Sequence, residues 1–206
     1  MPLNSSRIYL ASRSPRRREL LRQIGIDHEL LMLRVAMPRG HDVDEEPLAG
    51  EHPRDYVLRV CHDKVESGWR RLIERRLPQR AVLSADTTVC LGDEILGTPR
   101  DAIQAAEFLG RLSGCEHEVL TAVALKFQER TETALSVTKV RFRALERAEI
   151  EHYVRSGEPL DKAGAYGIQG YAAVFISEIR GSYSGVMGLP LYETAQLLAR
   201  FGLRRM

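Results

Sequence analysis

The segment from Leu10 to Leu21 contains residue types that suit the binding of an anion. Ser14-Pro15 predicts the start of a helix, because serine caps helices well and proline costs nothing at the first helical position. Arg16, Arg17 and Arg18 follow in the first turn, where each cation costs about 0.3–1 kcal/mol beside the positive end of the helix dipole. Free backbone N–H groups among arginines would bind a phosphate and offset this cost. The alternative interpretation is a solvated basic surface.

A carboxylate inside an apolar run is the best single catalytic candidate. Ala81 to Leu91 predicts a strand, and Asp86 stands in its middle. An unpaired buried charge is unfavourable, so this carboxylate either has a specific partner or marks a functional site.

A lysine within an amphipathic helix is the next candidate. Pro53 to Arg76 has apolar residues at helical spacing, and Lys64 falls on that apolar stripe. The ammonium group of Lys64 must therefore reach a polar place, which is either a binding site or solvent.

Two loops add to this set of groups. The first is the acidic cluster from Asp42 to Glu46, which could supply metal ligands or could be a solvated loop. The second is the glycine-rich stretch from Asp161 to Gly170, which also contains Lys162 and Gln169. Backbone N–H groups, a cation and an amide could together clasp a ligand and read a base edge, whereas a flexible turn is the alternative.

These residue types point to one kind of chemistry. Cations and N–H groups suit phosphates, and carboxylates suit Mg²⁺ or Mn²⁺, which commonly takes one or two carboxylates together with substrate phosphates. The residues alone therefore predict a metal-assisted hydrolase of a phosphorylated small molecule. Neither a P-loop nor a dinucleotide-binding fingerprint follows a predicted strand.

Size and composition limit the classes of protein that the sequence can represent. The chain has 206 residues and a formal charge of +2, with 44% hydrophobic and 28% charged residues, so a globular domain with one or two lobes is expected. The near-neutral charge and 6% aromatic content disfavour a nucleic-acid partner. No apolar run is long enough for a membrane span or a signal peptide, and three widely spaced cysteines favour a reducing compartment, so we expect a cytoplasmic protein.

The elements that must position the candidate residues alternate between strands and helices. We expect strands at Ile8–Leu10, Glu29–Val35 and Ala81–Leu91, and a helix that Thr98-Pro99 begins and in which Ile103 faces the core. Val119–Phe127 and Thr133–Phe142 are expected to form a strand pair. This order predicts an α/β fold with a mixed, twisted sheet and flanking helices.

Six sequence segments, in order, resemble the Maf family of nucleoside triphosphate pyrophosphatases. They are Leu10–Leu21, Ser84–Thr87, Leu112–Gly114, Asp161–Gly170, Gly181–Tyr183 and Gly188–Leu191. The resemblance implies a single domain over residues 1–206, with two lobes around a central cleft, a fold related to that of inosine triphosphatases. It further implies a homodimer, a divalent cation (Mg²⁺, Mn²⁺ or Co²⁺), and cleavage of a nucleoside triphosphate to the monophosphate and pyrophosphate.

The resemblance also implies roles for individual residues. Ser12, Arg16 and Arg17 are similar to the family's triphosphate-binding residues, and Lys64 to a further phosphate contact. Glu45 matches the family's metal residue in the acidic loop, and Asp86 matches its general base. Asp86 could act as the base, as a metal ligand or as both.

Three positions bear on the substrate. The subclass that acts on 7-methyl-GTP has Trp, Gln and Glu where this chain has Arg16, Thr87 and Gln169, so the chain resembles the dTTP and UTP subclass. The neutral amide of Gln169 can pair with the alternating donor and acceptor edge of thymine or uracil. Modified pyrimidine triphosphates such as 5-methyl-UTP and pseudo-UTP fit the same expectation, which suggests a house-cleaning role in nucleotide metabolism.

One departure from the family pattern keeps other functions open. The family usually has lysine where this chain has Thr98, so a cation expected near the phosphates is missing, and Arg100 or Lys162 would have to replace it. A catalytically weak nucleotide-binding regulator of septum formation is therefore one alternative. A 7-methyl-GTP-type pyrophosphatase is the other.

Overall fold

The computed structural model of the chain describes residues 7–33 and 42–203. Its strands are β1 (Ile8–Leu10), β2 (His28–Leu30), β3 (Val82–Leu91), β4 (Glu94–Leu96), β5 (Glu116–Phe127), β6 (Arg130–Phe142) and β7 (Ile176–Arg180). Its α-helices are α1 (Pro15–Gln23), α2 (Pro53–Glu74), α3 (Ala102–Leu112), α4 (Arg147–Arg155), α5 (Tyr183–Met187) and α6 (Leu191–Arg200). Short 3₁₀ helices cover Glu158–Asp161, Ala163–Ala165 and Tyr171–Phe175. Within these described ranges, no helix is long and apolar enough to cross a membrane.

The strands form one mixed sheet in the order β2-β1-β3-β5-β6-β7, with β4 paired to β3. β1 pairs in parallel with both β2 and β3, whereas β4 is antiparallel to β3 and β7 is antiparallel to β6. The parallel pairs are connected through α1 and α2, because parallel neighbours need a crossover connection. The predicted α/β fold with a mixed sheet and flanking helices is confirmed.

The chain divides into two compact units. The first contains the described residues up to Asp86, Thr121–Leu135 and the chain from Gly188 onward, and the second contains Thr87–Leu120 and Ser136–Met187. Strands β3, β5 and β6 each begin in one unit and end in the other. The prediction of a single domain with two lobes around a cleft stays a prediction.

Close packing of α2 on the sheet determines where Lys64 lies in the first unit. A Cβ atom at Gly68 would be 2.9 Å from Val82 Cγ1 and 3.1 Å from the Cβ of Ala11, so only a glycine allows this approach. Cys61 is buried against the same strand, with its Sγ 3.5 Å from Ser84 Oγ. Lys64 is three residues after Cys61 and four before Gly68, so its side chain leaves the same face of the helix.

The second unit has an aromatic core. Phe142, Tyr153, Tyr166 and Phe175 are buried, and Phe142 meets both Tyr166 and Phe175 edge to face, with ring centroids 4.9 Å and 6.1 Å away. Such edge-on pairs add to the stabilisation from burial alone.

Two local predictions about α3 are wrong. The helix begins at Ala102 and not at Pro99, because Asp101 accepts a hydrogen bond from the backbone of Gln104 and is the N-cap. Ile103 is 80% exposed, and the buried face consists of Ala105, Phe108, Leu109 and Leu112. The second strand is confirmed in part: it covers His28–Leu30, residues 31–33 are not part of a strand, and the predicted residues Arg34 and Val35 lie outside the described residues.

Candidate active site

The turn between β1 and α1 folds as the sequence predicts. Ser14 is the N-cap of α1, and its hydroxyl accepts from the backbone N–H of Arg17 at 3.4 Å. Ser12 Oγ accepts from the backbone N–H of Ser14 and from Arg17 Nη1, both at 3.2 Å. Serine hydroxyls therefore shape the helix N-terminus at which an anion is expected to bind.

Arg17 is held in place by the first unit. Its Nε donates to the carbonyl of Gly188 at 2.7 Å, while its Nη1 contacts Ser12. Burial lowers the pKa of Arg17, and the negative charges of Asp86 and Glu45 partly offset that effect. The guanidinium is fixed at its Nε and is poorly solvated. A phosphate should therefore bind it strongly, because charge-assisted hydrogen bonds are strong where solvation is weak.

Most of the predicted phosphate-binding residues line a cavity of 200 Å³. The lining residues are Ala11, Ser12, Arg13, Ser14, Arg17, Leu33, Glu45 and Lys64. Three of the four predicted phosphate-binding residues, Ser12, Arg17 and Lys64, thus lie together with Glu45. Arg16 is half-buried in the first turn of α1 and is not among the lining residues.

The ammonium group of Lys64 lies between two carboxylates. Its Nζ is 2.7 Å from Glu45 Oε2 and 2.7 Å from Asp86 Oδ1. The side chains of Lys64 and Asp86 are 13% and 9% exposed, whereas that of Glu45 is 53% exposed. Lys64 therefore does not extend into solvent, and Asp86 has the specific partner that a buried carboxylate requires.

The acidic loop is fastened to α2. Asp42 forms a two-point ion pair with Arg71, with the Nε to Oδ2 distance at 2.9 Å, and the hydroxyl of Ser67 donates to the carbonyl of Asp42. The hydroxyl of Tyr56 donates to the carbonyl of Glu45 at 2.9 Å. Burial, followed by the charges of Asp86 and Glu45, raises the pKa of Tyr56, so its hydroxyl keeps the donated proton. These contacts fix the backbone on which Glu45 stands, although the side chains of Asp44, Glu45 and Glu46 remain exposed.

Glu45 and Asp86 have the chemistry of a divalent-cation site. Both carboxylates face the same ammonium group, so one small cation could contact both of them. Mg²⁺ is typically held by one or two carboxylates and by substrate phosphates, which matches this pair beside the cavity. No cluster of three or more His, Cys, Asp or Glu side chains suited to a metal was found among the described residues, so a cage made only of protein ligands does not arise there.

Of the three positions expected to bear on the substrate, Thr87 and Gln169 belong to the second unit. Thr87 follows Asp86 in β3 and is half-buried, and its side chain leaves the strand on the face opposite to that of Asp86. Gln169 is exposed and lies in the glycine-rich loop between Gly167 and Gly170. Their roles in recognising a base stay predictions.

Two cations, Lys162 and Arg100, were expected as replacements for the missing lysine at Thr98. Lys162 Nζ donates to the carbonyl of Glu158 and to Asp161 Oδ1, each at 2.6 Å. Arg100 is exposed and lies 3.6 Å from a carboxylate oxygen of Asp101. The Lys162 contacts are local to its own loop, and the exposed pair of Arg100 is weak, so the role of either residue as a replacement stays a prediction.

Sequence reasoning missed several residues that support the site. Arg13 lines the cavity, and its place between Ser12 and Ser14 in the same turn was the signal for this. The carbonyl of Gly188 orients Arg17, although only the resemblance had singled out its segment. The Asp42–Arg71 pair had no local signal, because 29 residues separate its members.

Comparisons with known proteins extend over nearly the whole chain. A profile of the Maf-like protein family matches residues 7–201. A protein of Nitrosomonas europaea is 59% identical over 196 residues, which are 95% of each chain, and one of Aromatoleum aromaticum is 61% identical over 199 residues, which are 96% of each chain. Both relatives are named dTTP/UTP pyrophosphatase.

Among solved structures, the Staphylococcus aureus Ham1 protein is similar over 66% of this chain and 71% of its own, with 12% sequence identity and a TM-score of 0.44. That similarity is too low to support a conclusion. The family profile and the two relatives confirm the resemblance stated from the sequence motifs. The chain belongs to the Maf-like protein family.

Proposed function

We propose that this chain hydrolyses dTTP and UTP to the nucleoside monophosphate and pyrophosphate. One observation carries the proposal: Lys64 joins Asp86 to Glu45 at the wall of a cavity that Ser12 and Arg17 also line. Cations, hydroxyls and two carboxylates in one unit suit a polyphosphate substrate better than a neutral one. The names of the relatives from two organisms support the pyrimidine triphosphates as substrates.

In this proposal the helix N-terminus and Arg17 hold the phosphate chain. The first-turn N–H groups and the hydroxyl of Ser12 would contact phosphate oxygens, and Arg17 Nη1 would exchange its bond with Ser12 for a charge-assisted bond to the substrate. Its Nε bond to Gly188 would remain and would keep the guanidinium oriented. Such groups stabilise the charge that develops on the leaving pyrophosphate.

Glu45 and Asp86 would hold the divalent cation, which is Mg²⁺, Mn²⁺ or Co²⁺. When bound, the cation would supply electrophilic activation of the α-phosphate. Lys64 would then release one or both carboxylates and turn its ammonium to a phosphate oxygen, as the family's lysine is expected to do. Asp86, which is 7% exposed, would orient or deprotonate the attacking water at the α-phosphorus.

The choice of base would rest on the neutral amide of Gln169, together with Arg16 and Thr87. An amide offers both a donor and an acceptor, which complements the edge that thymine and uracil share. 5-Methyl-UTP and pseudo-UTP present similar groups and are expected substrates, in keeping with a house-cleaning role.

We also propose a cytoplasmic location and a homodimer. Within the described residues, Cys61, Cys90 and Cys115 form no disulfide, which agrees with a reducing compartment. The homodimer is supported only by the family resemblance, and sedimentation of the purified chain would test it.

A nucleotide panel with product analysis tests the proposed function. We expect dTMP or UMP plus pyrophosphate in the presence of Mg²⁺, and loss of activity when a chelator removes the metal. Asp86→Asn should lower kcat by a factor on the order of 10²–10⁴, because it removes the base. The matched control is Asp55→Asn, the same change at an exposed position in the first turn of α2, and it should behave like the unmodified chain.

Other outcomes would favour other functions. Release of only orthophosphate from all nucleotides would contradict the proposal, as would full activity of Asp86→Asn. Tight nucleotide binding without turnover would favour the regulator, and Thr98→Lys would then show whether the missing cation is the reason. Preferential hydrolysis of 7-methyl-GTP would favour the other subclass.

A further inference from the structure

The segment that carries Gln169 is fastened on both sides by one tyrosine–glutamate pair. The hydroxyl of Tyr153 donates to Glu158 Oε1 at 2.9 Å and accepts from the backbone N–H of Gly167 at 3.3 Å. Glu158 Oε2 accepts from the backbone N–H of Tyr171 at 3.2 Å. The two anchored N–H groups are two residues before and two residues after Gln169, so the pair spans the exposed amide.

The tyrosine of this pair is itself rigidly held. The Tyr153 side chain is completely buried, packs edge to face on Phe175 with centroids 5.3 Å apart, and stacks on Tyr171 at 5.9 Å. Burial and the hydrogen bond to Glu158 raise the pKa of Tyr153, so the hydroxyl remains a donor. The hydroxyl therefore has a fixed position from which it can fix the loop.

Lys162 makes a further contact between the glycine-rich loop and Glu158. Lys162 Nζ donates to the carbonyl of Glu158, and its stem lies so close to Gly167 that an added Cβ atom would be 2.8 Å from Lys162 Cε. The ammonium group of Lys162, at the start of the glycine-rich loop, thus binds Glu158, the same residue that contacts the backbone after Gln169.

The glycines of the loop fit this arrangement. A Cβ atom at Gly170 would overlap the carboxylate of Glu158, and one at Gly167 would collide with the stem of Lys162. The backbone on each side of Gln169 must therefore lack a side chain so that the Glu158 and Lys162 side chains can reach it. Gly167 and Gly170 are needed for the close approach of these side chains and not for an unusual backbone conformation, because neither has the positive φ that favours glycine.

We propose that Tyr153 and Glu158 are positioning residues that fix the backbone around Gln169 and thereby set discrimination between nucleobases. The inference rests on the proposed function, in which Gln169 reads the base. A loop free to shift by about an ångström would present its amide at variable distances, and such misplacement weakens selectivity strongly. Tyr153 and Glu158 contact the loop and not the substrate, so neither is a catalytic residue.

The test measures Tyr153→Phe, which removes only the hydroxyl, and Glu158→Gln, which loses the charge. We expect each variant to lower kcat/KM for dTTP by about threefold to tenfold, the effect of one hydrogen bond, mainly through a higher KM. The preference for dTTP over dCTP should fall by a similar factor. The inhibition constant of inorganic triphosphate, which has no base, should stay unchanged. Tyr192→Phe makes the same chemical change at a 73% exposed position and is the matched control.

A double-mutant cycle with Gln169→Ala separates positioning from general stability. If Tyr153 acts through Gln169, Tyr153→Phe should cause little further loss of discrimination once Gln169 is removed. Equal, additive losses in both backgrounds would overturn the inference, as would unchanged discrimination in Tyr153→Phe or a parallel rise in the triphosphate inhibition constant. Failure of the proposed function itself is distinguishable, because the unmodified chain would then not convert dTTP to dTMP and pyrophosphate.

Discussion

Asp42→Asn tests whether the ion pair between Asp42 and Arg71 holds the acidic loop in place. Both side chains are 8% exposed, and the guanidinium contacts both carboxylate oxygens. Removing one member of a buried pair typically costs about 3–5 kcal/mol, because the other charge is left without its partner. Here Arg71 keeps Glu74, and asparagine still accepts one bond, so we expect about 2–3 kcal/mol.

Urea unfolding measures this loss directly, and a fall in Tm of about 5–10 °C should accompany it in a chain of this size. The loop also carries Glu45, so the Mg²⁺ concentration for half-maximal activity should rise severalfold in the folded variant. The matched control is Asp44→Asn, an exposed aspartate two residues away, which should change the free energy of unfolding by less than about 0.5 kcal/mol. Equal stability of Asp42→Asn and the unmodified chain would refute the claim that this pair anchors the loop.

Three further predictions concern single positions. Arg17→Ala should raise KM and lower kcat, so that kcat/KM for dTTP falls on the order of 10–100-fold because charge-assisted bonds to the substrate are lost. Arg18→Ala should change these kinetic constants little. Equal losses in the two variants would indicate a diffuse basic patch. Burial lowers the pKa of His117 from 6.5 to about 4. Between these two pH values the unfolded chain binds a proton at this histidine that the folded chain does not bind. The stability of the fold therefore falls as the pH drops from 6.5 to about 4. This histidine should make the free energy of unfolding about 2 kcal/mol smaller at pH 5 than at pH 7. His117→Gln should remove that contribution to the pH dependence. An unchanged difference between the two pH values in the variant would contradict the prediction. Gly68→Ala should lower the free energy of unfolding by about 1–3 kcal/mol, because the added Cβ atom would collide with Val82. Gly110→Ala should raise it, because no atom of another element lies within 4 Å of the added Cβ atom. Denaturant unfolding of the two variants measures both effects.

The sequence predicts those parts of the site that depend on neighbouring residues. The N-cap at Ser14 and the start of α1 at Pro15 are confirmed, because capping is decided within one turn. The buried carboxylate of Asp86 was also recognisable, since a charge in an apolar strand is unusual. Thr98-Pro99 misled for the same local reason: the motif suited a helix start, but Asp101 caps the helix instead.

Contacts between distant segments could not be predicted from the pattern. Lys64 meets Glu45 across 19 residues and Asp86 across 22 residues, and only the packing of α2 on β3 brings them together. The local pattern could not show that the acidic loop is anchored, because its anchors, Arg71 and Tyr56, lie on another element. A flexible turn stayed open as the alternative for the glycine-rich loop, because Tyr153, which fastens it, belongs to α4.

Hydrolysis of dTTP in isotopically labelled water tests the central claim most directly. If Asp86 directs water to the α-phosphorus, the labelled oxygen should appear in dTMP, and the pyrophosphate should remain unlabelled. Label in pyrophosphate or in orthophosphate would contradict the account, because water would then have attacked a phosphorus other than the one beside the nucleoside.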